Sequence, residues 1–257
     1  MIMKVSIITV AFNAADTIDA TIRSVAAQTH DDFEYIVVDG CSTDGSMRIV
    51  DRFRSLITKV VCEPDRGMYD AMNKGIALAT GDVIGFLNAD DVYADNKVIK
   101  DVAHQFKDPG VEACYGDLVY TKRDDIARVV RYWKAGTFQS GAFGRGWIPP
   151  HPTFFVRSSV YKQYGGFDPS YTLAADVELM ARLLEKYAIR TVYLPRVLVK
   201  MRMGGVSNRS MTTVFLQNVA IHRALQANGV KCSWPFFLGK PVNRIRQLIE
   251  GALYREP

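Results

Sequence analysis

Two hydrophobic periods alternate along the first ninety residues, and this constrains the chain more than any other feature. Residues 5–11 form an almost unbroken apolar run, the pattern of a strand covered on both faces. Residues 17–27 then carry Ile18, Ile22, Val25 and Ala26 at helical spacing. Further strands are expected at 35–38, 59–62 and 83–87, and helices at 46–53 and 68–79, the last closed by Gly81. Strands and helices alternating through short connections imply a parallel sheet with helices on both sides. Ligands bind beyond the carboxyl ends of the strands in such sheets. The polar residues stand there: Asn13, Asp39, Glu63, Asp65, Asn88, Asp90 and Asp91.

Beyond residue 110 the pattern is less regular. Strands at 111–120 and 127–132 suggest a hairpin around Lys122-Arg-Asp-Asp, and 135–150 reads as a Gly- and aromatic-rich loop. A strand at 152–156, a helix at 158–164 and an amphipathic helix at 177–187 follow. Strands at 192–194 and 197–203, a Gly-rich loop and a helix at 212–227 complete the expected domain.

Apolar residues make up 48% of the 257, which excludes a disordered or fibrous chain. No run approaches the ~20 apolar residues that span a bilayer, and the N-terminus reads as a strand rather than a signal peptide. The four cysteines, Cys41, Cys62, Cys114 and Cys232, stand far apart with no C-x-x-C pair. They are expected to be reduced thiols in a cytosol, not a zinc site or a disulfide framework. A net charge of +5 suits an anionic ligand or membrane surface.

Four clusters could carry chemistry. Asn88-Ala-Asp-Asp91 follows a strand, where carboxylates can hold a hard divalent cation; a solvated turn fits the tetrapeptide equally. Asp39-Gly-Cys-Ser-Thr-Asp-Gly-Ser46 lacks the Gly and Glu positions of a calcium loop, and helix capping accounts for most of it. Asp39 is left to meet ribose hydroxyls or a base edge. Asp70, Asn73 and Lys74 share one helix face, as a site-ordering set or an exposed ion pair. Asp176 opens the amphipathic helix, where any carboxylate is favoured by the dipole. His151 precedes an expected strand in the loop-rich half. No G-x-G-x-x-G, P-loop or G-x-S-x-G motif is present.

Taken together, Val5-Ser-Ile-Ile-Thr-Val-Ala-Phe-Asn13, Val38-Asp-Gly-Cys-Ser-Thr-Asp-Gly-Ser46, Asp65-Arg-Gly-Met-Tyr-Asp-Ala-Met-Asn-Lys-Gly75, Asn88-Ala-Asp-Asp91, Gly165-Gly-Phe-Asp168 and Ala175-Asp176 resemble the glycosyltransferase family 2 enzymes of bacterial surface-polysaccharide assembly. The resemblance implies an α/β GT-A fold with a mostly parallel central sheet. Residues 1–228 would form the domain, split into a nucleotide-binding half (1–110) and an acceptor half (111–228), followed by a basic, aromatic tail (229–257). A UDP-, GDP- or dTDP-sugar would lie across the strand ends, lined by Thr9, Ala11 and Asn13. Asp39 and Asp65 would bind base or ribose, Gly67 would permit close approach, and Asn73 and Lys74 would complete the donor site. Asn88-Ala89-Asp90 occupies the D-x-D position, where Asp90, with Asp91, would hold Mn2+ or Mg2+. Asp176 matches the catalytic base of an inverting displacement. Trp147, His151, Arg202 and Ser207 would face the acceptor or form a closing segment.

Two departures stand out: Asn88 replaces the first Asp of D-x-D, and Met72 stands where many relatives have Arg. The Q-x-x-R-W signature of processive synthases is absent, which implies one sugar per encounter. The expected acceptor is a lipid-linked glycan, with no nucleic-acid partner. The tail, with Trp234, Lys240, Arg244 and Arg246, would dock a cytoplasmic enzyme on the inner membrane face. A non-catalytic nucleotide-sugar binding module, or a sugar-1-phosphate nucleotidyltransferase lacking its glycine loop, are the alternatives.

Overall fold

A computed structural model describes residues 3–204 and 211–232, together with 247, 250, 251 and 254. The first half alternates as the periodicity predicts: β1 (Val5–Ala11), α1 (Ile18–Ala26), β2 (Phe33–Asp39), α2 (Ser46–Asp51), β3 (Lys59–Cys62), α3 (Met68–Leu78) and β4 (Val83–Phe86). These strands pair in parallel, β1 between β2 and β4, with β3 on the far side of β2. Period-2 alternation divides β1 between two apolar layers. Val5, Ile7 and Ala11 pack with α1, α2 and a further helix α4 (Val98–Gln105). Ile8 and Val10 pack on α3 and the second-half helices α5 (Ser158–Tyr164), α6 (Ala175–Ala181) and α7 (Met211–Ala227).

The sheet continues through β5 (Asp91–Tyr93), β6 (Ala113–Thr121), β7 (Val129–Trp133), β8 (Phe155–Arg157) and β9 (Thr191–Arg202). Its order is β3-β2-β1-β4-β8-β6-β9-β5, with β7 added to β6. The longest ladders, β1 with β2 and β6 with β9, are parallel. Short antiparallel pairs, β4 with β8 and β5 with β9, stitch the halves together.

Four expectations change. Strand β5 and helix α4 lie where no element is expected. The two strands expected at 192–194 and 197–203 are one, β9, whose register shifts opposite Gly116 and Asp117 so that Pro195 and Arg196 fall in the bulge. Proline is tolerated there because a bulge needs no ladder donor. Residues 151–153 form a short 3-10 turn, held by Thr153 Oγ1 donating to Pro150 O at 2.8 Å, and the strand begins only at Phe155. Helix α6 ends at Ala181 and continues as a π turn over Arg182–Lys186, a device often found beside functional sites.

Candidate active site at the carboxyl edge of the sheet

The loops leaving β1 and β2 are laced together at the strand tips. Asn13, in a left-handed conformation (φ 49°), receives the Thr43 N–H on its Oδ1 at 2.9 Å, while Ser42 Oγ receives the Asn13 N–H at 2.8 Å. Asp44 Oδ2 accepts from Ala15 N at 2.8 Å. Asp39 is fully buried, and its carboxylate accepts from Ser42 N at 2.8 Å and Ser42 Oγ at 2.5 Å. Asp65 accepts from Gly67 N at 2.9 Å, and its other oxygen lies so close to Gly40 that a Cβ there would meet it at 2.4 Å. Asn13, Asp39 and Asp65 thus form one polar rim. Phe12, not singled out from sequence, stands beside it at 66% exposure, its ring edge 3.3 Å from a Cβ placed on Gly40. The sequence carries no signal for it, since an apolar residue ending an apolar run reads as core and only the structure shows its exposure. Gly67 (φ 114°) caps α3 and leaves open space around the position of a Cβ.

At the tip of β4, Asn88 Nδ2 donates to Asp91 Oδ2 at 3.3 Å. Asn88 Oδ1 and Asp91 Oδ1 are buried without a hydrogen-bond partner. Two orphaned buried oxygens flanking Asp90 are costly unless something electropositive meets them. Burial pushes the Asp90 carboxyl up, opposed by Arg202 and Arg123. Burial, then the Asp90 charge, push Asp91 further up. Arg202 donates to Asp90 O at 3.1 Å from the end of β9. Arg123, in the β6–β7 hairpin, is a second cation here that sequence reading took for a turn residue. Among the described residues no three His, Cys, Asp or Glu side chains gather as a metal cage. The donor set therefore suits a hard cation that keeps most of its shell for water and phosphate oxygens.

Asp176 lies in the first turn of α6, behind Ala174, whose φ of 63° is left-handed. Its Oδ1 accepts from Tyr69 OH of α3 at 3.0 Å, and burial followed by the Asp176 charge push the Tyr69 phenol up. Tyr69 stacks on Phe167 at 5.5 Å, and Phe167 meets Phe86 edge-on at 5.4 Å. His151 stacks on Phe86 at 5.8 Å; burial pushes its imidazole down while the nearby Asp176 pulls it back up. One aromatic cluster therefore links β4, two residues before Asn88, to the carboxylate of α6. Arg182 fixes α6 from behind, donating to Glu178 at 2.9 Å and Gly166 O at 2.5 Å, and Asn228 also donates to Glu178 at 3.1 Å.

Several residues expected in the site are engaged elsewhere. Thr9 is fully buried and its hydroxyl receives Tyr35 OH at 3.0 Å, inside the α1 layer. The Asn73 amide is spent on Phe167, donating to its O at 2.8 Å and accepting its N–H at 2.9 Å. Lys74 pins the loop before α3 through Pro64 O at 2.7 Å and Glu63 at 3.0 Å. Trp147 packs against Phe143 and donates its indole N–H to Ala135 O at 2.6 Å. Ala11 and Ala89 are buried, and their carbonyls accept from Gly40 N and Thr21 Oγ1 respectively. Ser207 and residues 233–246 of the tail lie outside the described residues.

Comparison with known proteins specifies the class to which this curled, mostly parallel sheet with its carboxylate-bearing edge belongs. The family model described as "Glycosyl transferase family 2" matches residues 6–165. An uncharacterised glycosyltransferase of Mycobacterium tuberculosis is 31% identical over 245 residues, 92% of this chain and 90% of that protein. A PGL/p-HBAD biosynthesis glycosyltransferase of Mycobacterium bovis is 30% identical over 227 residues, covering 86% and 85%. Among solved structures, S. aureus TarS 1-349 in complex with UDP-GlcNAc superposes with a TM-score of 0.67 at 19% identity, over 89% of this chain and 66% of that one. The mannosyltransferase PcManGT of Pyrobaculum calidifontis, in complex with GDP-Man and Mn2+, gives 0.62 at 20% identity, over 100% and 77%. The fold is GT-A. This chain belongs to glycosyltransferase family 2.

Proposed function

We propose that the protein is an inverting, divalent-metal-dependent glycosyltransferase that moves one sugar per encounter from a UDP-, GDP- or dTDP-sugar to a lipid-linked glycan. The observation that carries this reading is the contact of Tyr69 with Asp176 at 3.0 Å, in an aromatic cluster rooted beside the tip of β4. Asp176 takes the proton of the acceptor hydroxyl as its oxygen attacks the anomeric carbon. The nucleoside diphosphate departs from the opposite face, so configuration inverts. Tyr69 holds the carboxylate in one orientation, and His151 offers a neutral imidazole to the incoming hydroxyl.

On the donor side, Phe12 gives the base a stacking face, and Asn13, Asp39 and Asp65 rim the ribose. Asp90 with the orphaned oxygens of Asn88 and Asp91 would hold Mn2+ or Mg2+. When bound, such an ion neutralises charge building on the departing diphosphate. Arg202 and Arg123 add fixed positive charge for the same oxygens. GDP-Man and Mn2+ in the PcManGT complex, and UDP-GlcNAc in the TarS complex, support this assignment. The name of the M. bovis relative supports a biosynthetic role. Docking on the inner membrane face rests on the cations and Trp234 of the tail.

The test pairs Asp176→Asn with a thermal-shift screen of nucleotide-sugars, with Mn2+ present and chelated. The variant is expected to lose about 10²–10⁴-fold in turnover while keeping the ligand-dependent shift. Full activity in the variant, or turnover indifferent to chelation, overturns the base or the metal assignment respectively.

A further inference from the structure

Charge is distributed unevenly along the chain. Between residues 186 and 249 stand eleven of its 32 lysines and arginines and none of its 27 acidic residues. Helix α7, inside this stretch, has a single Lys or Arg, Arg223, and is apolar on two faces. Ile221 and Leu225 are buried in the layer shared with α6, and Asn228, just past the helix, ties it to Glu178 at 3.1 Å. Leu216 and Val219 point the other way, 54% and 42% exposed. At about 3.6 residues per turn they share one stripe with Arg223, Gln226 and Ala227, all exposed. On the loop before α6, Leu173 is exposed as well (37%), while Tyr171 packs on the same apolar cluster as Ala220. A helix at the surface of a water-soluble domain turns polar residues outward, so an apolar outer face in an acid-free stretch of sequence needs a partner.

We infer that the outer face of α7 is an interfacial surface that rests on an anionic lipid bilayer. Leu216 and Val219 enter the boundary between headgroups and acyl chains, and Arg223 meets lipid phosphate. The charge pattern selects this partner, because an anionic leaflet attracts a segment that has cations and no acids. A nucleic acid backbone is met by rows of Lys and Arg, whereas this stripe has one cation and two aliphatic side chains. A second copy of the chain would bring the same cations against themselves. The inference extends the membrane docking proposed above from the tail to α7, and rests on that reading for the identity of the surface. Because α7 packs on the helix that opens with Asp176, a bilayer against it holds a membrane-borne acceptor on the side of that carboxylate.

The full chain is sedimented with vesicles of phosphatidylcholine alone, and of phosphatidylcholine and phosphatidylglycerol in equal parts. Binding is expected only to the second. Leu216→Asp combined with Val219→Asp is expected to lower the bound fraction about tenfold without moving the melting temperature, since both side chains are exposed. Leu216→Trp, which keeps the apolar area and adds an interfacial ring, is expected to bind more tightly. Undiminished binding in the folded double variant, or no gain in Leu216→Trp, overturns the assignment to α7. If binding then falls on reversing Lys240, Arg244 and Arg246 to Glu, the tail docks without α7; if the unaltered chain binds neither vesicle, both readings fail. A dimer in analytical ultracentrifugation that the double variant dissociates assigns the face to a second copy and overturns the lipid partner.

Discussion

Asp176 and Tyr69 are 107 positions apart, and their 3.0 Å hydrogen bond depends on two helices meeting on one face of the sheet. Tyr69 is partly buried and stacks on Phe167, with its hydroxyl donated to Asp176. Removing that hydroxyl leaves the ring packing intact and frees the carboxylate to rotate. Tyr69→Phe is therefore expected to lower kcat by about tenfold with the donor KM unchanged, read from steady-state kinetics. A change confined to KM would place Tyr69 in donor binding instead. At this scale the sequence named Asp176, but only through the motif that contains it. It could not see that Thr9 and Asn73 are consumed internally, because a side chain's hydrogen-bond partner is set by neighbours that are remote in sequence.

Strand β4 is the element on which both ends of the site depend, since it carries Phe86 and delivers Asn88. Its Gly85 is packed under β8: a Cβ there would meet Phe155 at 2.2 Å. Phe155 is fully buried and has nowhere to move. Gly85→Ala is expected to destabilise the fold by about 1–3 kcal/mol, measured by denaturant titration, because overpacking forces the ring off its rotamer. The elements themselves were largely legible. The runs at 5–11, 59–62 and 68–79 appear almost residue for residue, since long periodic segments carry their own burial pattern. β5 escaped because a three-residue strand has no period to detect, and it exists only because β9 lies alongside. β9 was read as two strands because Pro195 marks a break locally, whereas the sheet absorbs it in a bulge.

Across the whole molecule, the amino edge of the sheet is as ordered as the carboxyl edge. Glu34 is buried opposite Ser6 and accepts from Ser6 Oγ at 2.5 Å, Thr80 Oγ1 at 2.8 Å and Gly81 N at 3.1 Å. Burial raises its carboxyl, but these donors and Lys4 outweigh it and bring it down to about 2 from 4.5. A depressed folded-state value means the contribution is fully present above the unfolded value and fades as pH falls from about 4.5 through about 2. Glu34→Gln is expected to cost about 1–2 kcal/mol at neutral pH and nothing near pH 2, seen as converging melting curves. The proposed docking by the charged tail belongs to the same scale. Reversing Lys240, Arg244 and Arg246 to Glu is expected to reduce co-sedimentation with anionic vesicles several-fold at low salt. Undiminished binding removes the docking role.

The sequence alone determined the alternation of elements, the edge at which the candidate site residues gather and the family to which the chain belongs. Each of these is written in local periodicity or in contiguous motifs, which need no folding to be read. The tertiary structure alone decided which carboxylates keep free oxygens, which cations stand over Asp90, and that Tyr69 meets Asp176. Those are contacts between residues far apart in the chain, and only the register of parallel strands and the packing of helices across them set such distances.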